Sequence, residues 1–225
     1  MKTRSKRYRN SLEKKSSNES QPINKAIETL ATFDSAKFDE SVEVSISLGV
    51  DPKQSSHAVR GTVNLPHGSG KELKVLVFTE NPDEALAEGA DFAGLEDLVN
   101  KIKDGWVDFD VALSTTSAMK EVRSVARVLG PRGLMPTPKA GTVTDDLTSA
   151  IKEVKSGRVE FKMDKTGAMS VLIGKRSFDP TKLAENAEAA LLAVQNSRPE
   201  GFKGKFIKRV HISSSMSPSI LLDNI

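Results

Sequence analysis

Hydrophobic residues recur along the chain in two different patterns, one at the ends and another in the middle. Between Pro22 and Phe33, apolar residues three or four positions apart are typical of a helix with one buried face. Apolar and polar residues then alternate over 42–48, and a similar stretch runs over 59–65. This alternation predicts two strands, each with one face buried and the other exposed.

The same pattern returns toward the C-terminus. Residues 159–163 and 169–173 alternate, and the turn sequence at 164–167 between them predicts a β-hairpin. A long amphipathic helix is predicted over 179–195, with Pro180 in its first turn. A last strand is predicted over residues 206–212.

The middle of the chain follows another pattern. Residues 73–78 are almost continuously apolar, as expected of a strand buried on both faces, and residues 109–113 predict a second such strand. Helices are predicted over 82–88, 95–103, 116–129 and 147–155, and the segment 130–141, rich in Pro and Gly, is predicted to be a loop. Strands alternating with helices predict βαβ units and a small parallel sheet covered on both faces.

These two patterns predict two domains. Residues 1–68 and 159–225 would form one discontinuous domain, and residues 69–158 would form a domain inserted into it. The predicted fold class is α/β: an α+β domain formed by both chain ends, with an inserted Rossmann-like three-layer α/β domain. Two linkers near Gly68 and Gly157 predict a hinge between the two domains.

Composition narrows the class of protein. The chain has 225 residues, of which 37% are hydrophobic and 28% charged, and this composition is typical of a folded globular protein. No apolar run approaches the roughly 18 residues that suggest a membrane span. The basic N-terminus lacks the apolar core of a secretory signal. Because cysteine is absent as well, we expect a cytoplasmic chain without disulfides.

The charge is unevenly distributed. The whole chain has 33 basic and 30 acidic residues, whereas residues 69–158 hold 12 basic and 15 acidic ones. The basic excess therefore belongs to the domain formed by the two ends, where binding of a polyanion is predicted. Residues 1–21 are predicted to be a mobile basic arm, which would either keep the chain soluble or contact phosphates.

No pattern predicts catalysis, a metal or a cofactor. Residues 66–71 resemble a phosphate-binding loop, but a Walker loop needs Gly where Leu65 stands and Ser or Thr where Glu72 stands. No serine lies in a nucleophile-elbow sequence. The three histidines lack the spacing of metal ligands; they are His57, His67 and His211.

Binding of structured RNA has better candidates. Structured RNA is recognised by cations, small hydroxyl side chains and occasional rings. Three places in the end-formed domain combine these groups, although each alone also fits a core ring or an ordinary loop. They are Lys37 and Phe38 before the first strand, Lys165, Thr166 and Gly167 at the hairpin tip, and Ser213, Ser214, Ser215, Met216 and Ser217 after the last strand.

Residues 122–138 read VRSVARVLGPRGLMPTP. This stretch resembles the signature of the L-one family of large ribosomal subunit proteins, the family of the ribosomal stalk. Shorter matches are KRYR at 6–9, AKFDE at 36–40, LGVDP at 48–52, VRGTV at 59–63, LPHG at 65–68, GW at 105–106, KAGTV at 139–143 and SMSPS at 215–219. The matches are collinear and bacterial in type.

The resemblance implies a hinged, two-domain structural constituent of the large ribosomal subunit that catalyses nothing. The end-formed domain would bind the ribosomal RNA of the mobile stalk near the exit site, through the ten residues named above. The protein would aid release of deacylated tRNA and repress translation of its own messenger RNA. The implied partners are therefore large-subunit ribosomal RNA, exit-site tRNA and its own messenger RNA, with no membrane and no second copy of the chain. The alternative is a free-standing translational repressor or RNA chaperone that uses the same surface.

Two details stay open at this level. The loop at 130–141 would either only shape the inserted domain or contact tRNA through Arg132 and Lys139.

The family generally has glycine where this chain has Ser217. Glycine would allow close approach of RNA and a φ value that is costly for serine. Either the affinity for RNA is lower here, or the serine hydroxyl makes a contact of its own.

Overall fold

A computed structural model of the chain describes residues 4–15, 19–52, 54, 57–200 and 202–223. The chain is mixed α/β, as predicted, and it divides into two compact units. Unit 1 comprises Met1–Gly70 and Val159–Ile225, and unit 2 comprises Lys71–Arg158. None of the described helices is long and apolar enough to cross a membrane.

The secondary structure largely follows the predicted order. In chain order the elements are α1 (Lys6–Lys14), α2 (Ile23–Thr32), β1 (Ser41–Leu48), β2 (Arg60–Asn64), β3 (Val75–Phe78), α3 (Pro82–Ala87), β4 (Phe92–Gly94), α4 (Glu96–Lys103), β5 (Val111–Ser114), α5 (Met119–Val122), a 3₁₀ turn (Arg123–Val125), α6 (Ala126–Arg132), a second 3₁₀ turn (Pro138–Ala140), α7 (Leu147–Ser156), β6 (Arg158–Lys162), β7 (Ala168–Lys175), α8 (Pro180–Asn196), β8 (Ile207–Ser214) and β9 (Ile220–Leu221).

Unit 1 is built on a four-stranded sheet in the order β7-β1-β8-β9. Strand β1 pairs antiparallel with both β7 and β8. Its alternating residues Val42, Val44 and Ile46 are buried in one core with residues of α2 and α8, such as Ile27 and Leu191. The intervening residues of β1, Glu43, Ser45 and Ser47, lie on the other face of the sheet.

The predicted hairpin between β6 and β7 is wrong, although its turn is present. The N–H of Asp164 donates to the carbonyl of Ala168 (2.8 Å), which closes the turn. Strand β6 nevertheless pairs with β2 in a separate two-stranded sheet, whereas β7 pairs with β1. An alternating pattern predicts which face of a strand is buried, but it does not identify the neighbouring strand with which that strand pairs.

Unit 2 contains a three-stranded sheet in the order β4-β3-β5, with β3 parallel to both neighbours. All four residues of β3 are buried. Leu76 and Phe78 pack on one side with residues of α4, α5 and α6, and Val75 and Val77 pack on the other with residues of α3 and α7. The sheet is therefore covered on both faces.

The helix predicted over 116–129 differs in its bounds and continuity. It begins at Met119, is interrupted by the first 3₁₀ turn, and continues through Pro131 to Arg132. Gly133 ends it with a φ of 74°, a left-handed value that glycine adopts without strain. The predicted loop therefore begins later than residue 130.

The prediction of a mobile arm at 1–21 is wrong over α1. Ser5 caps this helix, since its Oγ accepts a hydrogen bond from the N–H of Tyr8 (3.3 Å). Lys14 fixes the other end through an ion pair with Asp34 (2.6 Å). Residues 1–3 and 16–18 of the predicted arm lie outside the described part of the chain.

Candidate nucleic-acid interface

The ten residues predicted to contact RNA lie at the two ends of strand β1. At its beginning, Val42 pairs with Ser214, so the C-terminal loop lies beside the segment that enters β1. At its end, the N–H of Leu48 donates to the carbonyl of Gly167 (2.8 Å). Eight residues of strand span roughly 23 Å at about 3.3 Å per residue. The structure thus forms two clusters: the first holds residues 37, 38 and 213–217, and the second holds residues 165–167.

The first cluster exposes two large apolar side chains next to a cation. Phe38 and Met216 are each 52% exposed, and Lys37 is exposed as well. Phenylalanine rings ordinarily pack in the core, but Phe38 does not. An exposed ring and a flexible thioether can pack against ribose or bases, while the lysine attracts phosphate.

A buried carboxylate, Glu40, joins the two segments of the first cluster. Its Oε2 accepts hydrogen bonds from the Ser214 hydroxyl (2.5 Å) and from the Met216 N–H (3.1 Å). Its Oε1 accepts from the Ala36 N–H (2.6 Å). Burial raises the pKa of Glu40, but these three bonds and the charge of Arg176 outweigh burial and leave the pKa below its usual value. Glu40 is therefore ionised at neutral pH.

The loop after β8 holds itself in shape. The Ser217 hydroxyl accepts a hydrogen bond from the N–H of Ser214 (2.9 Å), and the N–H of Ser217 donates to the carbonyl of Ser214 (3.2 Å). None of the described residues other than glycine has a positive φ, so Ser217 does not adopt the conformation that is costly for serine. The contact that its hydroxyl makes here lies within the loop.

Ser214 differs from its neighbours in the loop. It is 4% exposed, and its hydroxyl is already donated to Glu40. Its side chain supports the loop from inside, whereas Ser215 and Met216 are exposed.

The second cluster is a rigid turn. The Asp164 carboxylate accepts hydrogen bonds from the N–H groups of Thr166 (2.7 Å) and Ala168 (2.9 Å) and from the Thr166 hydroxyl (2.7 Å). The Thr166 hydroxyl is the main cause of the lowered pKa of Asp164. Gly167 has a φ of 79°, which glycine permits. The turn leaves Lys165 exposed beside a rigid backbone.

A polar sheet face, missed from the sequence, connects the two clusters. We call it the open face; it consists of Glu43, Ser45 and Ser47 on β1, Ser170 and Leu172 on β7, and Arg209, His211 and Ser213 on β8. Residues paired across strands share a face, so the polar half of the alternation could have identified this surface. Small hydroxyl side chains make up much of it.

Basic groups border this open face. His211 is half-buried, and burial, followed by the charges of Lys15 and Arg209, lowers its pKa. The end of α1 therefore brings cationic charge close to the sheet. No group of three or more His, Asp or Glu side chains in the described residues could hold a metal ion.

Unit 2 carries the remaining predicted contacts, Arg132 and Lys139. Arg132 is exposed in the last turn of α6. Lys139 lies in the second 3₁₀ turn, and its side chain is outside the described part of the structure. The neighbouring loop is closed by a hydrogen bond from the Thr137 N–H to the Thr142 hydroxyl (2.8 Å). This closure favours a structural role for the backbone, while leaving Arg132 available to a ligand.

A stripe of cations beside Arg132 was also missed. Lys120, Arg123 and Arg127 are all exposed, and they follow one another at spacings of three and four residues along α5, the first 3₁₀ turn and α6. Five other cations of unit 2 pair with carboxylates; they are Lys71, Lys74, Lys152, Lys155 and Arg158. In the described structure, no carboxylate pairs with the stripe.

Comparison with known proteins gives consistent matches. Residues 30–218 match the Ribosomal protein L1p/L10e family. The chain is 50% identical over 226 residues to large ribosomal subunit protein uL1 of Kosmotoga olearia, covering 100% of this chain and 98% of the relative. It is 51% identical over 229 residues to the protein of that name from Persephonella marina, covering 99% and 95%. The Thermus thermophilus protein is 47% identical over 221 residues, covering 97% and 96%.

Proposed function

The chain belongs to the Ribosomal protein L1p/L10e family, and from this membership we propose that unit 1 binds the ribosomal RNA of the mobile stalk. It is a structural constituent of the large ribosomal subunit and not an enzyme. In the cytoplasm it would act on the ribosome, near the exit site. The proposed interface consists of the first cluster, the open face and the second cluster.

The first cluster carries this proposal. Phe38 and Met216 are each 52% exposed beside Lys37, on two segments that Glu40 joins, and together a ring, a thioether and a cation can bind bases, ribose and phosphate. The open face adds hydroxyl groups that can bind ribose and phosphate oxygens. Lys165 at one end and Arg209 on the sheet supply positive charge along the same surface.

Replacing Lys37 with glutamine should change how salt affects binding. One lost phosphate contact lowers the slope of log K against log salt by about 0.7 to 0.9. A filter-binding titration of a stalk RNA fragment at several salt concentrations measures that slope. Lys182→Gln, on the exposed side of α8 away from the sheet face, is the matched control and should leave it unchanged. An unaltered slope for Lys37→Gln would remove Lys37 from the phosphate contacts.

Binding of RNA should strengthen as the pH falls. The lowered pKa keeps His211 neutral at pH 7 in the free protein, and RNA phosphates above the open face would favour its protonated form. The complex would then take up a proton, and affinity would rise by roughly tenfold for each unit by which RNA raises the pKa. Titrations between about pH 7.5 and 5.5, the range where histidine changes charge, test this expectation. His211→Gln should make RNA affinity less dependent on pH. If affinity changed as steeply with pH in that variant, RNA would not bind beside His211.

We further propose that unit 2 contacts exit-site tRNA through Arg132, Lys139 and the neighbouring stripe. Ribosomes carrying the triple variant Arg123→Gln, Arg127→Gln and Arg132→Gln should release deacylated tRNA about three- to tenfold more slowly, since exposed ionic contacts are individually weak. The triple variant Lys71→Gln, Lys74→Gln and Lys152→Gln, in which each lysine is already ion-paired, is the matched control. Equal release rates in the two variants would contradict a tRNA contact at the stripe.

Repression of its own messenger RNA is the third part of the proposed function. A single interface on unit 1 would serve both RNAs, so a stalk RNA fragment and the messenger should compete for the protein.

The sequence predicts a hinge at two linkers near Gly68 and Gly157. The chain passes between the units close to these positions, at residues 70–71 and 158–159, and we propose that the hinge lies there.

A further inference from the structure

We propose that Glu40 is the positioning residue of the RNA interface: its ionised carboxylate sets the placement of Phe38 relative to Met216. This role rests on the proposed function, RNA binding by unit 1. Glu40 itself is 1% exposed and would not touch RNA. It acts through the backbone groups that it holds.

Both oxygens of the carboxylate are occupied, and they serve different parts of the chain. Oε1 accepts from the Ala36 N–H, one residue before Lys37, and Oε2 accepts from the Met216 N–H, 176 residues away in the sequence. The Ser214 hydroxyl gives Oε2 a second bond. Two segments that are distant in sequence are therefore fixed to one rigid, planar group.

An arginine balances the buried charge and extends the network. Arg176 Nη1 lies 3.8 Å from Glu40 Oε1, and the side chain of Arg176 is 15% exposed. Its Nη2 donates to the carbonyls of Ala31 (3.3 Å) and Phe33. The backbone N–H of Arg176 also donates to the Glu40 carbonyl (2.8 Å). Because the charge is paired and hydrogen-bonded, its burial is tolerated.

A carboxylate is an unexpected group at a surface that binds phosphates, because its charge repels them. The number of acceptors explains why it is needed. Glutamine has nearly the same shape but only one acceptor oxygen, and its NH₂ group can only donate. In either orientation of the amide that replaces the Glu40 carboxylate, an N–H donor would face another donor. Either the Ala36 side or the Met216 side would therefore be released.

Glu40→Gln in the full-length protein is the decisive variant. We expect its affinity for a stalk RNA fragment to fall by about tenfold or more, comparable to losing hydrogen bonds to a charged group. Loss of a negative charge alone would strengthen RNA binding, so the sign of the effect separates positioning from simple electrostatics. Glu188→Gln, at an exposed carboxylate on α8 outside the proposed interface, removes the same charge as a matched control and should bind equally or slightly more tightly. Wild-type or tighter binding by Glu40→Gln would overturn the proposed role.

Double-mutant cycles separate positioning from general destabilisation. Phe38→Ala and Met216→Ala should each weaken binding in the wild-type background and weaken it less in the Glu40→Gln background, because the side chains are no longer held. Leu191→Ala truncates a core residue on α8 and should lower the free energy of unfolding. In its background, Phe38→Ala and Met216→Ala should weaken RNA binding as much as they do in the wild type. Full additivity would contradict positioning by Glu40. Unchanged affinity of both alanine variants in the wild-type background would instead contradict the proposed interface itself.

Ser214→Ala provides a second test that does not depend on the folding of Glu40→Gln. It removes one of the three bonds to the carboxylate and leaves both N–H donors in place. We expect a loss of affinity of about two- to fivefold, as for one ordinary hydrogen bond. No loss would show that the bond from the Ser214 hydroxyl to the carboxylate has no part in holding the loop, and would overturn the proposed network.

Discussion

Replacing Met216 with aspartate is expected to weaken binding of the stalk RNA by about a hundredfold, through loss of an apolar contact to the nucleotides and addition of a charge among phosphates. Met216 is 52% exposed, so the change should leave the free energy of unfolding almost unaltered. Equilibrium titration with the RNA fragment gives the affinity, and chemical denaturation gives the stability.

Two variants control for size and for charge. Met216→Leu keeps an apolar side chain in the loop and should bind within a few-fold of the wild type, since leucine and methionine are similar in volume. Leu192→Asp adds the same charge on α8, at a side chain that is 59% exposed, and should have little effect. Unchanged affinity of Met216→Asp would remove the C-terminal loop from the interface.

Truncating Phe78 to alanine should destabilise unit 2 strongly and leave stalk RNA binding intact. Phe78 is fully buried on β3, and such a truncation costs roughly 3–5 kcal/mol. Hydrogen exchange resolved by segment should show faster exchange over 71–158 only. RNA binding should persist because each of the proposed stalk RNA contacts lies in unit 1.

The matched control is Phe161→Ala, which removes an equally buried ring from the core of unit 1. That variant should be destabilised by a similar amount, and its affinity for RNA should fall as well. If Phe78→Ala abolished binding while unit 1 stayed folded, unit 2 would have to supply essential contacts to the stalk RNA.

Long periodic segments were predicted well from the sequence. Strand β1 and helices α2 and α8 carry enough repeats of the alternating or helical pattern to identify both their type and their buried face. Strands β4 and β9, of three and two residues, are too short to show any period. Helix α1 was missed because its many charges suggested an unfolded segment, although Ser5 provides a capping signal.

The side chains of the proposed interface could be predicted only in part. Exposed cations, hydroxyls and a ring could be identified by type and position, as with Lys37, Phe38 and Met216. Their arrangement could not, because it depends on β7 and β8 pairing with opposite sides of β1. Nor could burial of Glu40 be predicted, since a glutamate before a strand is ordinarily solvated.

The pairing of β1 with β8 has a consequence for synthesis of the protein. The first cluster needs residues 36–40 from one end of the chain and residues 213–217 from the other. Unit 2 is continuous in sequence and can fold while the chain is still being made, since domains fold as units during translation. The proposed RNA interface, by contrast, assembles only after residues 213–217 have left the ribosome. Under the proposed function, a growing chain would not bind RNA, including its own messenger, through this interface before those residues have been made.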